Sequence, residues 1–352
     1  LTEETGNNGV AGARERVEAA AAPLTFEFDH PLKGIERLRG NKALFIAPTR
    51  DPDWARSVQR GVTEGLGTAD VMILPKDTGG TSERSNELVR MAIAEGFDAV
   101  ICDAVNTPVI EDSMPEAKAA GIPVVQLFEE KPGPPTPAQA AAGVYGNVTF
   151  DYTATGRLLA DYAIADSDGK AKVIGVGAGA SISASPNALA GMEERLGEYP
   201  GCTYVETDVP VLEWEERLYS ATKEALEENR DASYVFPVFS PMTQVVCDAV
   251  RAVGLEDQVR LLSFGEAALP APLLKRGEMV AAIAATSGEW VGWGAADMAM
   301  RGMLGEPAPT ASPGIRLLTP DNIGEIDLSA PEDEWLGGVD FRARYRALWG
   351  RS

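Results

Sequence analysis

Gly175, Gly177 and Gly179 follow a Val/Ile-rich run and could bring backbone amides close to a phosphate or a sugar. Their spacing is GxGxG, not the GxGxxG of dinucleotide sites, and the helix predicted beyond them begins only at Ala188. The run therefore reads as a tight turn at a strand end. Ser181, Ser183 and Ser185 sit just past it, outside any GxSxG and remote in sequence from the one histidine, His30. They suit loop hydrogen bonding and helix capping better than nucleophilic chemistry. No GxxxxGK[ST] or HExxH occurs. Cys102, Cys202 and Cys247 form no CxxC pair or metal spacing, and a Cys202–Cys247 disulfide stays open. Asp51, Asp53, Asp103, Glu129, Glu130, Asp151 and Glu266 fall at or just past predicted strand ends. Two of them could run acid/base chemistry. The simpler role is to accept hydrogen bonds from ligand hydroxyls. Trp54, Phe128, Phe239 and Trp290 also follow predicted strands, and flat apolar faces there would stack on a sugar, cyclitol or aromatic ring. The chemistry these residues offer is recognition without turnover: no catalytic residue and no cofactor is expected.

Strands that alternate with amphipathic helices must position these side chains. Short apolar runs at Lys42–Ala47, Ala69–Leu74, Ala99–Cys102, Pro123–Phe128 and Ala142–Val148 are separated by predicted helices at Trp54–Leu66, Ser82–Glu95 and Val109–Ala120 and by a Pro-rich loop at 131–142. A second series runs from Lys172 to Phe264, and a shorter block follows 265. Continuous Val/Ile-rich strands between helices indicate parallel sheets covered on both faces. The 352 residues suit two such domains. A formal charge of -22 repels nucleic-acid backbones, and no apolar run reaches the ~18 residues of a membrane span. The chain starts without Met or a basic-then-apolar leader, as a processed or trimmed product would.

The order of these pieces resembles the type I periplasmic binding protein family, in its ribose- and sugar-binding branch, from about residue 41 to 324. ALFIAPTRDPDW resembles the first strand and its N-P-aromatic-aromatic sequel, with Trp54 on the second aromatic. VRMAIAEGFDAVICDAVN places Asp103 and Asn106 on polar positions, and EAKAAGIPVVQLFEE matches A-x-x-x-G-I-P-V-V. Asp151 and Gly156 in FDYTATG match the D-N-x-x-x-G segment at the first crossover, KVIGVGAGASISASPN resembles the second-lobe opening, and LLTPDNI the closing crossover. Several polar positions differ. Phe128 and Glu129 replace an Asp-Arg pair, Ala188 beside Asn187 replaces an arginine, Phe239 and Ser240 replace an Asn-Asp pair, and Gly265 before Glu266 replaces an aspartate. The late glutamine falls near Ala285 or Thr286.

The resemblance implies an α/β fold of two Rossmann-like lobes with parallel sheets, joined by three crossover hinges near 148–151, 264–266 and 317–320. The expected division is an N-terminal extension with a helix over 1–40, one lobe from 41–148 plus 266–317, and the other from 149–265 plus part of 320–352. It implies an extracytoplasmic monomer that captures a small molecule between its lobes and presents it to an ABC transporter permease, without spanning the membrane and with room for a lipid anchor upstream of Leu1. The expected ligand contacts are Arg50, Asp53, Trp54, Asp103, Asn106, Phe128, Glu129, Asp151, Ser185, Asn187, Phe239, Ser240, Glu266 and Trp290. With fewer polar groups than a hexose needs, the pocket calls for a less hydroxylated or ring-containing ligand. The alternatives are a sensor partner of a membrane receptor and, more remotely, a nucleotide- or sugar-dependent enzyme. A repressor core would need a DNA-binding headpiece, and residues 1–40 carry no helix-turn-helix.

Overall fold

The structure, a computed structural model, describes residues 2–49, 53–129, 131–180, 182–310 and 312–351, and only the backbone of residues 2–8 and 53. Helix α1 spans Thr2–Ala21. Then follow β1 (Lys42–Ala47), α2 (Asp53–Gly67), β2 (Met72–Asp77), α3 (Ser82–Ala94), β3 (Ala99–Asp103), α4 (Met114–Ala119), β4 (Val124–Leu127), α5 (Pro137–Ala142) and β5 (Val144–Val148). The chain continues as α6 (Tyr152–Asp166), β6 (Lys172–Gly177), α7 (Ala184–Gly197), β7 (Thr203–Asp208), α8 (Tyr219–Glu228), β8 (Tyr234–Pro237), α9 (Thr243–Ala252) and β9 (Arg260–Gly265). It ends with α10 (Ala271–Lys275), β10 (Val280–Ala285), α11 (Gly288–Leu304), β11 (Arg316–Leu318) and α12 (Phe341–Leu348).

The strands form two sheets, ordered β2-β1-β3-β4-β5 and β11-β10-β9-β8-β6-β7. Their ladders are parallel, except that β11 runs antiparallel to β10. This is the expected two-lobed α/β fold. The boundaries differ from expectation. The first unit holds Thr25–Asp151, Ser287–Gly314 and Val339–Ser352, and the second holds Leu1–Leu24, Tyr152–Thr286 and Ile315–Gly338. Residues 266–286 therefore lie with the second sheet, because β10 pairs with β9. The extension expected over 1–40 is divided between the units, as is the tail, so chain crossings after Leu24 and Gly338 add to those after Asp151, Thr286 and Gly314.

In the first unit β1 and β3 are buried along almost their whole length, with Leu44, Phe45, Ile46, Val100 and Ile101 fully covered. Each such side chain contributes ~2–3 kcal/mol of hydrophobic stabilisation, and burial on both faces explains the unbroken apolar runs. Glycines set how closely α2 meets α11. A Cβ on Gly61 would lie 2.2 Å from the Glu289 carbonyl, and one on Gly292 would lie 2.3 Å from that of Val58. From the C-terminal segment, Trp349 stacks on Trp293 at 5.4 Å and donates to Asp297, which also holds Arg301 at 2.7 Å.

The second unit repeats the glycine device, since a Cβ on Gly156 of α6 would lie 1.9 Å from the Ala188 carbonyl of α7. Helix α1 docks on α6 through a two-pronged contact from Arg16 to the buried Asp161, 2.7 Å on each prong. Tyr199 donates to the Gly9 carbonyl at 2.7 Å, so this helix is part of the unit. The three cysteines are free thiols, which closes the question of a Cys202–Cys247 bridge. Among the described residues no helix is long and apolar enough to cross a membrane.

Candidate ligand-binding site

The carboxyl ends of the first sheet carry an aromatic cluster. Trp54 enters the first turn of α2 after β1, Phe128 follows β4, and Phe150 follows β5. The Trp54 ring lies 5.2 Å from Phe128 and 6.3 Å from Phe150, and Phe128 stacks on Phe150 at 6.2 Å with 27° between planes. Phe150 is buried, while Trp54 and Phe128 keep part of their surface exposed. Phe128 has φ 66° and Ala104, after β3, has φ 50°. Left-handed backbone without glycine costs ~1 kcal/mol or more per residue. The strain is held where two adjacent strands end.

Asp103 closes β3 in register with Leu127, the residue before Phe128. It is 3% exposed. Among the described residues no hydrogen bond or ion pair reaches its carboxyl group, and burial alone pushes its pKa up to about 7. Burial, then the charges of Asp103 and Glu129, drive the neighbouring Cys102 thiol far above its ordinary range, so it stays neutral. An amide network fixes the strand ends behind. Gln139 donates to Gln126 at 3.1 Å and to Asn147 at 3.0 Å, Asn147 donates back at 3.0 Å, and Thr107 donates to Gln126 at 3.0 Å. Asn106, expected to face a ligand, spends its side-chain oxygen on the Val109 amide, capping the turn over 107–110.

The second unit carries its own aromatic row at its strand ends. Phe239, partly exposed, lies 6.5 Å from Phe264, which meets Tyr152 edge-on at 5.8 Å. Ser240 is buried and donates to the Phe264 carbonyl at 2.8 Å, so its hydroxyl ties the turn after β8 to β9. Ser185 is equally buried and accepts the Ala178 amide at 2.8 Å, while Asp208 accepts the Gly179 amide at 2.8 Å. The Ala178 and Gly179 amides are thus held by the protein's own side chains, as in a strand-end turn. Asn187 is exposed on α7, Glu266 is half-buried after β9, and Asp151, exposed, is the last residue of its stretch of the first unit. The Thr243 and Thr286 hydroxyls are buried without a partner among the described residues. No group of acidic, His or Cys side chains among the described residues could hold a metal ion.

The model of the periplasmic binding protein domain matches residues 43–307. The chain belongs to that family. Solved periplasmic binding proteins share its fold at low identity. A solute-binding protein of an ABC transporter from Actinobacillus succinogenes, with bound D-allose, is 18% identical with a TM-score of 0.69, covering 81% of this chain and 100% of that one. The arabinose-transporter component from Shewanella sp. ANA-3, bound to L-arabinofuranose, is 17% identical at TM-score 0.70 over 88% and 98%. A solute-binding protein from Bacillus halodurans with bound myo-inositol is 17% identical at TM-score 0.68 over 82% and 97%. None of the curated proteins matches the chain.

Among the sequence candidates for this periplasmic binding protein's site, Trp290 is the clearest correction. It is 4% exposed and lies between Phe26, at 6.1 Å, and Phe341, at 5.2 Å, both nearly parallel to it. Both faces are covered, so it is a core ring. Ser185 and Ser240 likewise serve the fold. Arg50 and the Asp53 side chain lie outside the described residues. The structure brings Trp54, Phe128 and Asp103 to one edge and adds Phe150, which sequence reasoning missed. The signal for it was available, because Phe150 follows β5 much as Phe128 follows β4. The same holds for Phe264 on β9, whereas nothing in the sequence marked the Gln126–Gln139–Asn147 network.

Proposed function

We propose that this chain is an extracytoplasmic solute-binding protein. It captures a small sugar-like, polyol, cyclitol or less polar ring-containing molecule and delivers it to an ABC-type permease without chemical change. The observation that carries this reading is the partly exposed Trp54–Phe128 pair, backed by Phe150, at the same carboxyl edge of a parallel sheet as Asp103, whose buried carboxyl group has no partner among the described residues. Ligands of open α/β sheets bind at that edge. Aromatic faces cover the apolar side of a ring, and an acid orients its polar side. The allose, arabinofuranose and inositol bound by the similar structures fit the same size class. Asn187, Phe239 and Glu266 of the second unit are proposed as further ligand contacts.

A thermal-shift screen of sugars, polyols, cyclitols and small aromatics tests the reading, since a ligand raises the melting temperature by mass action. Trp54→Ala or Phe128→Ala should weaken a confirmed ligand by about tenfold or more, the scale of one lost aromatic contact. Phe239→Ala tests the second-unit contacts separately. A ligand whose affinity survives both first-unit substitutions would place its site elsewhere.

A further inference from the structure

The inference concerns the chemical class of the ligand and rests on the capture reading above. A buried carboxyl group is retained at a cost unless something pairs with it. Asp161 meets Arg16 and Asp297 meets Arg301, so this chain pairs the buried acids of its core. Asp103 is as buried as these, at 3% exposure against 2% for each of the other two, and no described cation reaches it. It stands at the one kind of position, a sheet's carboxyl edge, where a partner can arrive from solution. At the same edge of the sheet, Asp103 pairs with Leu127, the residue before Phe128, and the indole of Trp54 and the ring of Phe128 keep exposed surface; aromatic faces attract cations through their quadrupole. The net charge of -22 favours the approach of a cation.

We propose that the ligand carries a positively charged nitrogen on a small ring or chain, with Asp103 as its counter-ion and Trp54 and Phe128 against its apolar body. A neutral sugar would satisfy the rings but leave the acid with only a hydroxyl. An ammonium group satisfies both.

The test uses matched pairs of probes that differ in charge and little in shape: glucosamine against glucose, and choline against its neutral carbon isostere dimethylbutanol. Affinities are measured by calorimetry on the full chain, with thermal shift alongside. At least one cationic probe should bind about tenfold or more tighter than its neutral twin. Asp103→Asn, which keeps the shape of the side chain, should remove that preference. Equal binding within both pairs, or a preference that persists in Asp103→Asn, overturns the proposal. The wild-type ratio alone decides if the variant does not fold. Neutral probes that bind and are weakened by Trp54→Ala would leave the capture reading standing and sink the charge assignment. Absence of binding by every probe at millimolar concentration would count against both.

Discussion

Asp103 is an acid whose folded-state pKa, about 7, stands above the ordinary 3.8 because it is buried. Between those values the unfolded chain gives up the proton and the folded chain holds it, so stability falls as pH rises from about 4 to 7 and levels off above. A shift of this size corresponds to ~4 kcal/mol at ~1.4 kcal/mol per pKa unit. Asp103→Asn should therefore flatten the stability profile across that window and melt higher than wild type at pH 8, read by chemical denaturation at a series of pH values. An unchanged profile would mean that water or a neighbour solvates the acid. Phe128 shows a second conflict at residue scale, a bulky side chain at φ 66°. Phe128→Gly should relieve the backbone while deleting the ring. A variant about as stable as wild type but deficient in binding would locate the residue's value in recognition.

Among the elements, the helix pairs α2–α11 and α6–α7 depend on contacts that only glycine permits. Gly156→Ala would press a methyl group to 1.9 Å from a backbone oxygen that belongs to another helix and cannot rotate away. The expected loss is ~2 kcal/mol or more, as in overpacked cores, measurable as a lower denaturant midpoint with unchanged slope. The strands were mostly legible because their signal is an uninterrupted apolar run, and β1 and β3 lie where it placed them. The failures have local causes. The strand expected at Ala69–Leu74 starts at Met72, because Asp70 turns with φ 56°. The helix expected over Val109–Ala120 is split into a turn over 107–110 and α4, each with its own proline near the start. The Pro-rich loop holds α5, whose Thr136–Gln139 capping box satisfies its first amides. The candidate site was legible only as a place in the fold, the ends of the strands. Position at a strand end placed Trp54, Phe128 and Asp103 at the edge of one sheet, but the same rule chose Trp290, whose covering rings Phe26 and Phe341 come from segments outside the repeating pattern.

For the molecule as a whole, 53 acidic residues against 31 basic ones make self-repulsion a standing cost of the compact state. Raising sodium chloride from low to physiological concentration should screen it and raise the melting temperature. A fall would mean that ion pairs such as Arg16–Asp161 outweigh the repulsion. The first unit is gathered from residues 25–151, 287–314 and 339–352, and α11 and α12 come from the last two of these stretches. A ribosome delivers the five strands of its sheet well before the helix that covers α2, so a half-built layer must wait, with its apolar side open, while over a hundred residues of the other unit are translated. Chaperones that hold newborn chains have a natural client in that interval, and a stop codon near the far terminus would injure the part of the protein that was made earliest.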